Sequence, residues 1–208
     1  MNNKIILFDI DRTILDTDKV MKIFTEKMLF ILGNPNISDF MKVREEYLKQ
    51  LAYDREFVPE DYIKAISRKF QFSYEQSLID VFFDSDSQNI YKESVYPEVR
   101  DVFKTLTYRK YRLGIFSEGE KKFQNHKFRS LHLGEYLDDD LIFIFNAKNN
   151  SEALKRIPRS SIIVDDKLRI CEFLDKAGIK TIWINKKGLP DSTNFQTIHY
   201  LSELNKVL

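Results

Sequence analysis

"IILFDIDRTILDTD", residues 5–18, sets an apolar run directly against a row of aspartates. Ile5 to Phe8 favour burial, whereas Asp9 and Asp11 are costly to take out of water unless something compensates them. The stretch is therefore either a turn leaving a strand or one edge of a site. A calcium loop of the EF-hand kind is excluded. Counting from Asp9, the sixth position is Ile14 rather than glycine and the twelfth is Val20 rather than glutamate. The residues that the rest of the chain places beside the two aspartates decide the matter.

Apolar runs of strand length recur at residues 113–116, 141–145, 162–164 and 181–184. They are rich in Ile, Val and Phe and do not alternate with polar residues, the pattern of strands buried on both faces. Helical patterns separate the later runs, over residues 97–108, 120–131, 151–156 and 168–177, and Gly178 comes directly after the last as a helix stop. Strands alternating with helices predict a parallel sheet covered on both sides. Residues 19–91 break this alternation. Segments such as "SDFMKVREEYLKQLAY" space Phe40, Val43, Tyr47, Leu48 and Leu51 as a helix would, and no strand pattern intervenes. A helical insertion between the first and second strands is the reading.

Composition narrows the function classes. At 208 residues, with 43% hydrophobic and 31% charged residues, the chain suits one soluble domain carrying an insertion. A formal net charge of +1 supplies no global field for nucleic acid or an anionic membrane, so neither is an expected partner. The single cysteine, Cys171, excludes an internal disulfide and a four-cysteine zinc site. No run has the length of a signal-peptide core or a membrane helix, and a cytoplasmic setting is expected. Oligomeric state is not legible.

In an open parallel sheet ligands bind beyond the carboxyl ends of the strands. The residues just past each run are Asp9, Asp11, Arg12 and Thr13, then Ser117 and Glu118, then Asn146 and Lys148, then Asp165 and Asp166. Carboxylates, hydroxyls and an ammonium on one rim suit phosphoryl transfer. Asp9 can attack phosphorus and form an acyl phosphate, and Asp11 can protonate the leaving oxygen and later activate water. Charge neutralisation calls for Mg²⁺ and a lysine. Mg²⁺ prefers oxygen ligands, which Asp9, Asp166 and a backbone carbonyl can offer. Ser117 can donate to a phosphoryl oxygen and Lys148 can stand as a point charge.

"FDIDRT", "GIFSEG", the lysine of "FNAK" and "IIVDD", in that order, resemble the four motifs of the haloacid dehalogenase (HAD) superfamily. "VYPEVRDVFKTLTYRKYRLGIFSEG" and "CEFLDKAGIKTIWINKKG" extend the resemblance. It implies an α/β fold with a Rossmann-like parallel-sheet core over residues 1–16 and 93–208, and an inserted helical cap domain over residues 17–92. It also implies Asp9 as nucleophile and Asp11 as general acid and base. Thr13, Ser117, Glu118 and Lys148 would be substrate-binding residues. The Mg²⁺ set would be Asp9, Asp11, Asp166 and Asp165. Dehalogenases that resemble this first motif lack an acid at the position of Asp11, so the second aspartate favours a phosphatase acting on a small phosphorylated metabolite. A phosphotransferase or phosphomutase of the same fold, and a catalytically silent binding protein, are the alternatives. Glu118, negative where a phosphate would sit, and Ile170, where capped members often carry an acid, keep the last reading alive. Glu172 or Asp165 could replace that acid. Arg12 stands where many members carry glycine.

Four further readings bear on the site. Lys155 in "EALKR" rivals Lys148, but Lys148 lies just past a strand and Lys155 within a helix. One of Asp165 and Asp166 is read as the metal ligand and the other as a helix cap. "EKKFQNHKFRS", residues 120–130, reads as an amphipathic helix with a solvated basic face. The aromatics Phe24, Phe30, Tyr47, Tyr53, Phe57, Tyr62, Phe70, Phe72 and Tyr74 are expected to form a small core of the insertion, one or two of them facing Asp9.

Overall fold

The computed structural model describes residues 4–51 and 56–208, so Tyr53 lies outside the described residues. The central element is a six-stranded sheet in the order β3-β2-β1-β4-β5-β6. Its strands are β1 (Ile5–Phe8), β2 (Arg112–Glu118), β3 (Ile142–Phe145), β4 (Ser161–Asp165), β5 (Lys180–Ile184) and β6 (Gln196–Ile198). Every neighbouring pair is parallel. The α/β, Rossmann-like expectation holds. Strand β6 has no counterpart among the apolar runs: it has three residues at the sheet edge, flanked by loop, too short to carry a periodic signal.

Both faces of β1 are buried, as its unbroken apolar run requires. Ile6 and Phe8 point to one side, into a cluster with Phe103 and Leu106 of α6 (Val99–Tyr108) and Leu204 of α10 (Leu204–Val207). Ile5 and Leu7 point to the other, against α8 (Ser151–Arg156) and α9 (Leu168–Lys176), where Ala153, Ile170 and Leu174 meet them. Helix α9 ends at Lys176 with Ala177 as its C-cap, and Gly178 takes φ +77°, the left-handed stop expected of it. The remaining core helix, α7 (Lys121–Ser130), lies between β2 and β3 in sequence.

The chain leaves the core after β1 and returns before α6. In between run α1 (Thr17–Ile31), α2 (Ile37–Gln50), α3 (Pro59–Phe70), α4 (Glu75–Phe83) and α5 (Ser85–Glu93). Exit and return are tied together. The Asp16 N–H donates to Ser94 O at 2.8 Å, Tyr96 N–H donates to Ile14 O at 2.9 Å, and Leu15 bridges Val95. Phe24, Tyr47 and Tyr62 are buried and form the insertion's own packing, as expected. Phe30 and Tyr74 stay largely outside it, 77% and 76% exposed, with Tyr74 touching Phe72 at a ring-centroid distance of 6.1 Å. Helical spacing alone cannot tell which aromatic of a short bundle becomes enclosed. No helix among the described residues is long and apolar enough to cross a membrane.

Gly114 lies mid-strand in β2 because nothing larger fits: a Cβ there would overlap the Leu141 carbonyl oxygen and Cβ. Backbone cannot yield as a side chain can. Gly114→Ala is expected to destabilise the protein by about 1–3 kcal/mol, a fall of roughly 2–4 °C in Tm per kcal/mol for a chain this long. Thermal melting followed by circular dichroism checks it.

Candidate active site

Strand register assembles the site. Phe8 pairs with Ile115 of β2 and with Val164 of β4, so the next step along each strand brings Asp9, Phe116 and Asp165 together. The Asp9 N–H donates to Val164 O at 2.9 Å and fixes the aspartate at the strand end. Lys148 reaches into this junction from the loop after β3. Its ammonium, 0% exposed, donates to Asp9 Oδ1 at 2.6 Å, Asp165 Oδ2 at 2.5 Å and Phe116 O at 3.2 Å. Lys155, the rival, is exposed on α8.

Buried charges dominate the electrostatics. Burial pushes the Asp9 carboxyl up to about 7, with Lys148 opposing and Asp165 adding to the rise. Asp166 is pushed up to about 6 by burial and by its neighbour Asp165. Burial pulls Lys148 down, but Asp165, Asp9 and Glu118 outweigh it and hold the ammonium above its ordinary value. The site carries more negative charge than Lys148 alone can neutralise.

That surplus is aimed. One carboxylate oxygen from each of Asp9, Asp165 and Asp166 lies within 4.8 Å of the others. Both oxygens of Asp165 are engaged, by Lys148 and by the Lys167 N–H at 2.9 Å. The second bond closes a local turn ahead of α9, whose N-cap is Lys167 with no side-chain cap, so neither aspartate takes the capping role expected of one of them. Asp9 Oδ2 and Asp166 Oδ1 are buried with no hydrogen-bond partner. Two orphaned carboxylate oxygens in such a cluster are hard donors suited to Mg²⁺, and an unpaired buried charge is otherwise costly. The residues present fit a divalent cation. Ser117 Oγ and Thr13 Oγ1 are likewise buried and unpartnered, two hydroxyls with their donors unspent.

Asp11 stands apart from that cluster. Thr17 Oγ1 donates to its Oδ1 at 2.8 Å, Lys127 Nζ to Oδ1 and Oδ2 at 2.8 and 2.6 Å, and Gln124 Nε2 to Oδ2 at 3.3 Å. Burial would raise its pKa, but Lys127 and Thr17 outweigh it and hold the carboxyl well below the usual range. Its side chain is thus committed to α7 and α1, and the structure does not bring it to the Asp9–Asp165–Asp166 group as the expected metal set had it. Helix α7 keeps Lys121, Lys122 and Arg129 exposed, as its basic face was expected to be, but Lys127 departs from that face and is 5% exposed. His126 lies against the insertion, with its Nε2 3.3 Å from Ser87 Oγ.

Glu118 is caged rather than free. It accepts from the Lys148 N–H at 3.0 Å, from Lys167 Nζ at 2.7 Å and from the Arg169 guanidinium at 2.7 Å. Burial raises its pKa, but Lys167 and Lys148 pull it to about 2. Ile170 is buried in the core and Glu172 is exposed, so Asp165 is the acid that accompanies Asp166. Arg12 takes φ +59°, a left-handed turn conformation, with its guanidinium on Asp18 at 2.8 Å. Between core and insertion lies a cavity of about 680 Å³, walled on the core side by Asp11, Glu118 and Lys127 and on the insertion side by Phe24, Arg44 and Phe57; Asp9, Asp165 and Asp166 are not among its lining residues.

The chain matches the family model of haloacid dehalogenase-like hydrolases over residues 3–178. No curated protein matches its sequence. Solved structures similar to it throughout include the following three. The HAD hydrolase YfnB of Bacillus subtilis, solved bound to magnesium, is 19% identical with a TM-score of 0.70, covering 100% of this chain and 99% of its own. A HAD phosphatase of Thermococcus onnurineus is 24% identical with a TM-score of 0.64, covering 99% and 97%. A 2-haloacid dehalogenase of Pseudomonas syringae pv. tomato is 20% identical with a TM-score of 0.64, also covering 99% and 97%. At these identities the likeness is one of fold, and the activities of the three differ. The family match spans most of the chain: the protein belongs to the haloacid dehalogenase-like hydrolases.

Proposed function

We propose that the chain is a phosphoric monoester hydrolase acting on a small phosphorylated metabolite through an aspartyl phosphate on Asp9. The observation that carries this reading is Asp11, a second carboxylate two residues after the first, half-buried and held by four donated hydrogen bonds. Displacing a halide needs no proton at the leaving atom. Displacing an alkoxide does.

Asp9 attacks phosphorus, the acyl phosphate forms and the ester P–O bond breaks. Lys148, Ser117 and Thr13 hold the phosphoryl oxygens, the lysine by charge and the two hydroxyls by the donors they have free. Asp11 hands a proton to the leaving oxygen. Arrival of a phosphate dianion favours its protonated form, because like charges raise a carboxyl's pKa. In the second half Asp11 takes a proton from water, the water oxygen attacks phosphorus, and Asp9 leaves as a free carboxylate. Mg²⁺, when bound by Asp9 and Asp166 beside Asp165, supplies positive charge to the phosphoryl oxygens. Glu118 does not oppose the phosphate, since Lys148, Lys167 and Arg169 share its charge. Residues 17–92 act as a cap domain on a core of residues 1–16 and 93–208, and the two together exclude bulk water while the acyl phosphate exists.

Phosphate release from a panel of phosphorylated metabolites is expected to require Mg²⁺, to vanish in Asp9→Asn, and to fall about 10²–10⁴-fold in Asp11→Asn. Halide release from 2-haloacids is expected to be absent. Halide release without phosphate release would overturn the reading. Lys148→Met strands two buried carboxylates and is expected to cost about 3–5 kcal/mol of stability along with activity. Lys155→Met should change stability by no more than about 0.5 kcal/mol and leave turnover intact. Denaturant melts and a phosphate assay on both variants check it.

A further inference from the structure

Strand register fixes Asp9, but nothing in the sheet fixes the Asp11 side chain, which points to α7 and α1 instead. We propose that Lys127, assisted by Gln124, is the positioning residue that aims Asp11 at the hydrolytic water in the second half of the reaction. This rests on the phosphatase reading above.

Each of the contacts on Asp11 is a donor, so together they fix a carboxylate with both oxygens oriented as acceptors. Lys127 and Gln124 are each 5% exposed, so neither is a surface group that swings onto the aspartate from solvent. Burying an ammonium costs several kcal/mol unless it is paired, and an apolar side chain would fill the same space without that cost. Gly119 makes room for the second donor. It takes φ +142°, and a Cβ there would run into the Gln124 side chain.

The insertion also holds α7, beginning on the face that carries Lys127, whose ammonium lies 4.8 Å from the Phe123 ring centroid. Phe123 packs on Phe57 and Phe82 with ring centroids 5.9 and 5.8 Å away, His126 lies 5.2 Å from the Phe83 ring, and Lys122 pairs with Glu60 at 2.6 Å. The helix that carries Lys127 is therefore braced from core and insertion alike. A base that must meet one water molecule over the phosphoaspartate gains from such bracing, because small misplacements cost large factors in rate.

The two half-reactions separate the inference from a merely structural role. With 4-nitrophenyl phosphate the leaving group needs no proton, so only hydrolysis of the phosphoenzyme depends on Asp11. Rapid mixing of Lys127→Met with this ester and Mg²⁺ is expected to give a stoichiometric burst of nitrophenolate. Steady turnover should then run at least about tenfold below the wild-type rate, with Lys127→Arg recovering most of it. Gln124→Leu should show the same signature more weakly, and serves if Lys127→Met does not fold. Equal loss of burst and turnover, or unchanged turnover, overturns the inference and leaves the phosphatase reading standing. A folded wild-type protein that releases no nitrophenolate in an Asp9-dependent way overturns both.

Discussion

The architecture of the site depends on one buried ammonium. Lys148 is fully enclosed, and its three partners come from three different strands: Asp9 after β1, Phe116 in β2 and Asp165 at the end of β4. An isolated charge could not be kept there, and a pair would leave lone pairs unmet. Two carboxylates and a carbonyl satisfy all three ammonium protons. The lysine thereby pins the carboxyl ends of the central strands to the loop after β3, and a shift of any one of them would leave a charge unpaired. It also leaves Asp9 Oδ2 and Asp166 Oδ1 unpartnered, a negative surplus that favours cation binding.

Around this point the chain separates two tasks. The sheet sets Asp9, the proposed nucleophile, through register and through the Asp9 N–H on Val164 O. The helices set the second carboxylate, through Lys127 and Gln124 on α7 and Thr17 at the start of α1. Thr17 belongs to the first turn of the insertion and Phe123 of α7 touches the insertion's aromatic packing, so how that bundle seats bears on Asp11 and not on Asp9. A fold of this kind can vary its insertion without disturbing the nucleophile.

Much of this is legible in residue order. Strands buried on both faces announce themselves as unbroken apolar runs, and in a parallel sheet the residues just past such a run lie on the ligand-binding rim. Asp9, Ser117, Lys148 and Asp165–Asp166 can therefore be named from their places alone. Lys127 cannot. Its helix sets two phenylalanines, Phe123 and Phe128, among several basic residues, and a lysine in so basic a stretch normally faces water. Nothing local signals that it meets an aspartate 116 residues away. Glu118 misleads for the same reason: the cations that share its charge, Lys167 and Arg169, lie 49 and 51 residues further on. Arg12 stands at a position that would suit glycine, since φ there is +59°. Pairings between distant charges are tertiary facts, whereas strand ends are local ones.

The claim on which the rest stands is that Asp9 carries the phosphoryl group. Its most direct measurement is to mix the Asp11→Asn variant with 4-nitrophenyl phosphate and Mg²⁺, quench in acid, and locate the phosphoryl group by peptide mass spectrometry. The account predicts an acid-stable, base-labile phosphoryl adduct on the peptide that holds Asp9. A phosphoryl group found on any other residue, or steady hydrolysis by the wild-type protein with no phosphoenzyme trapped in the variant, would contradict it.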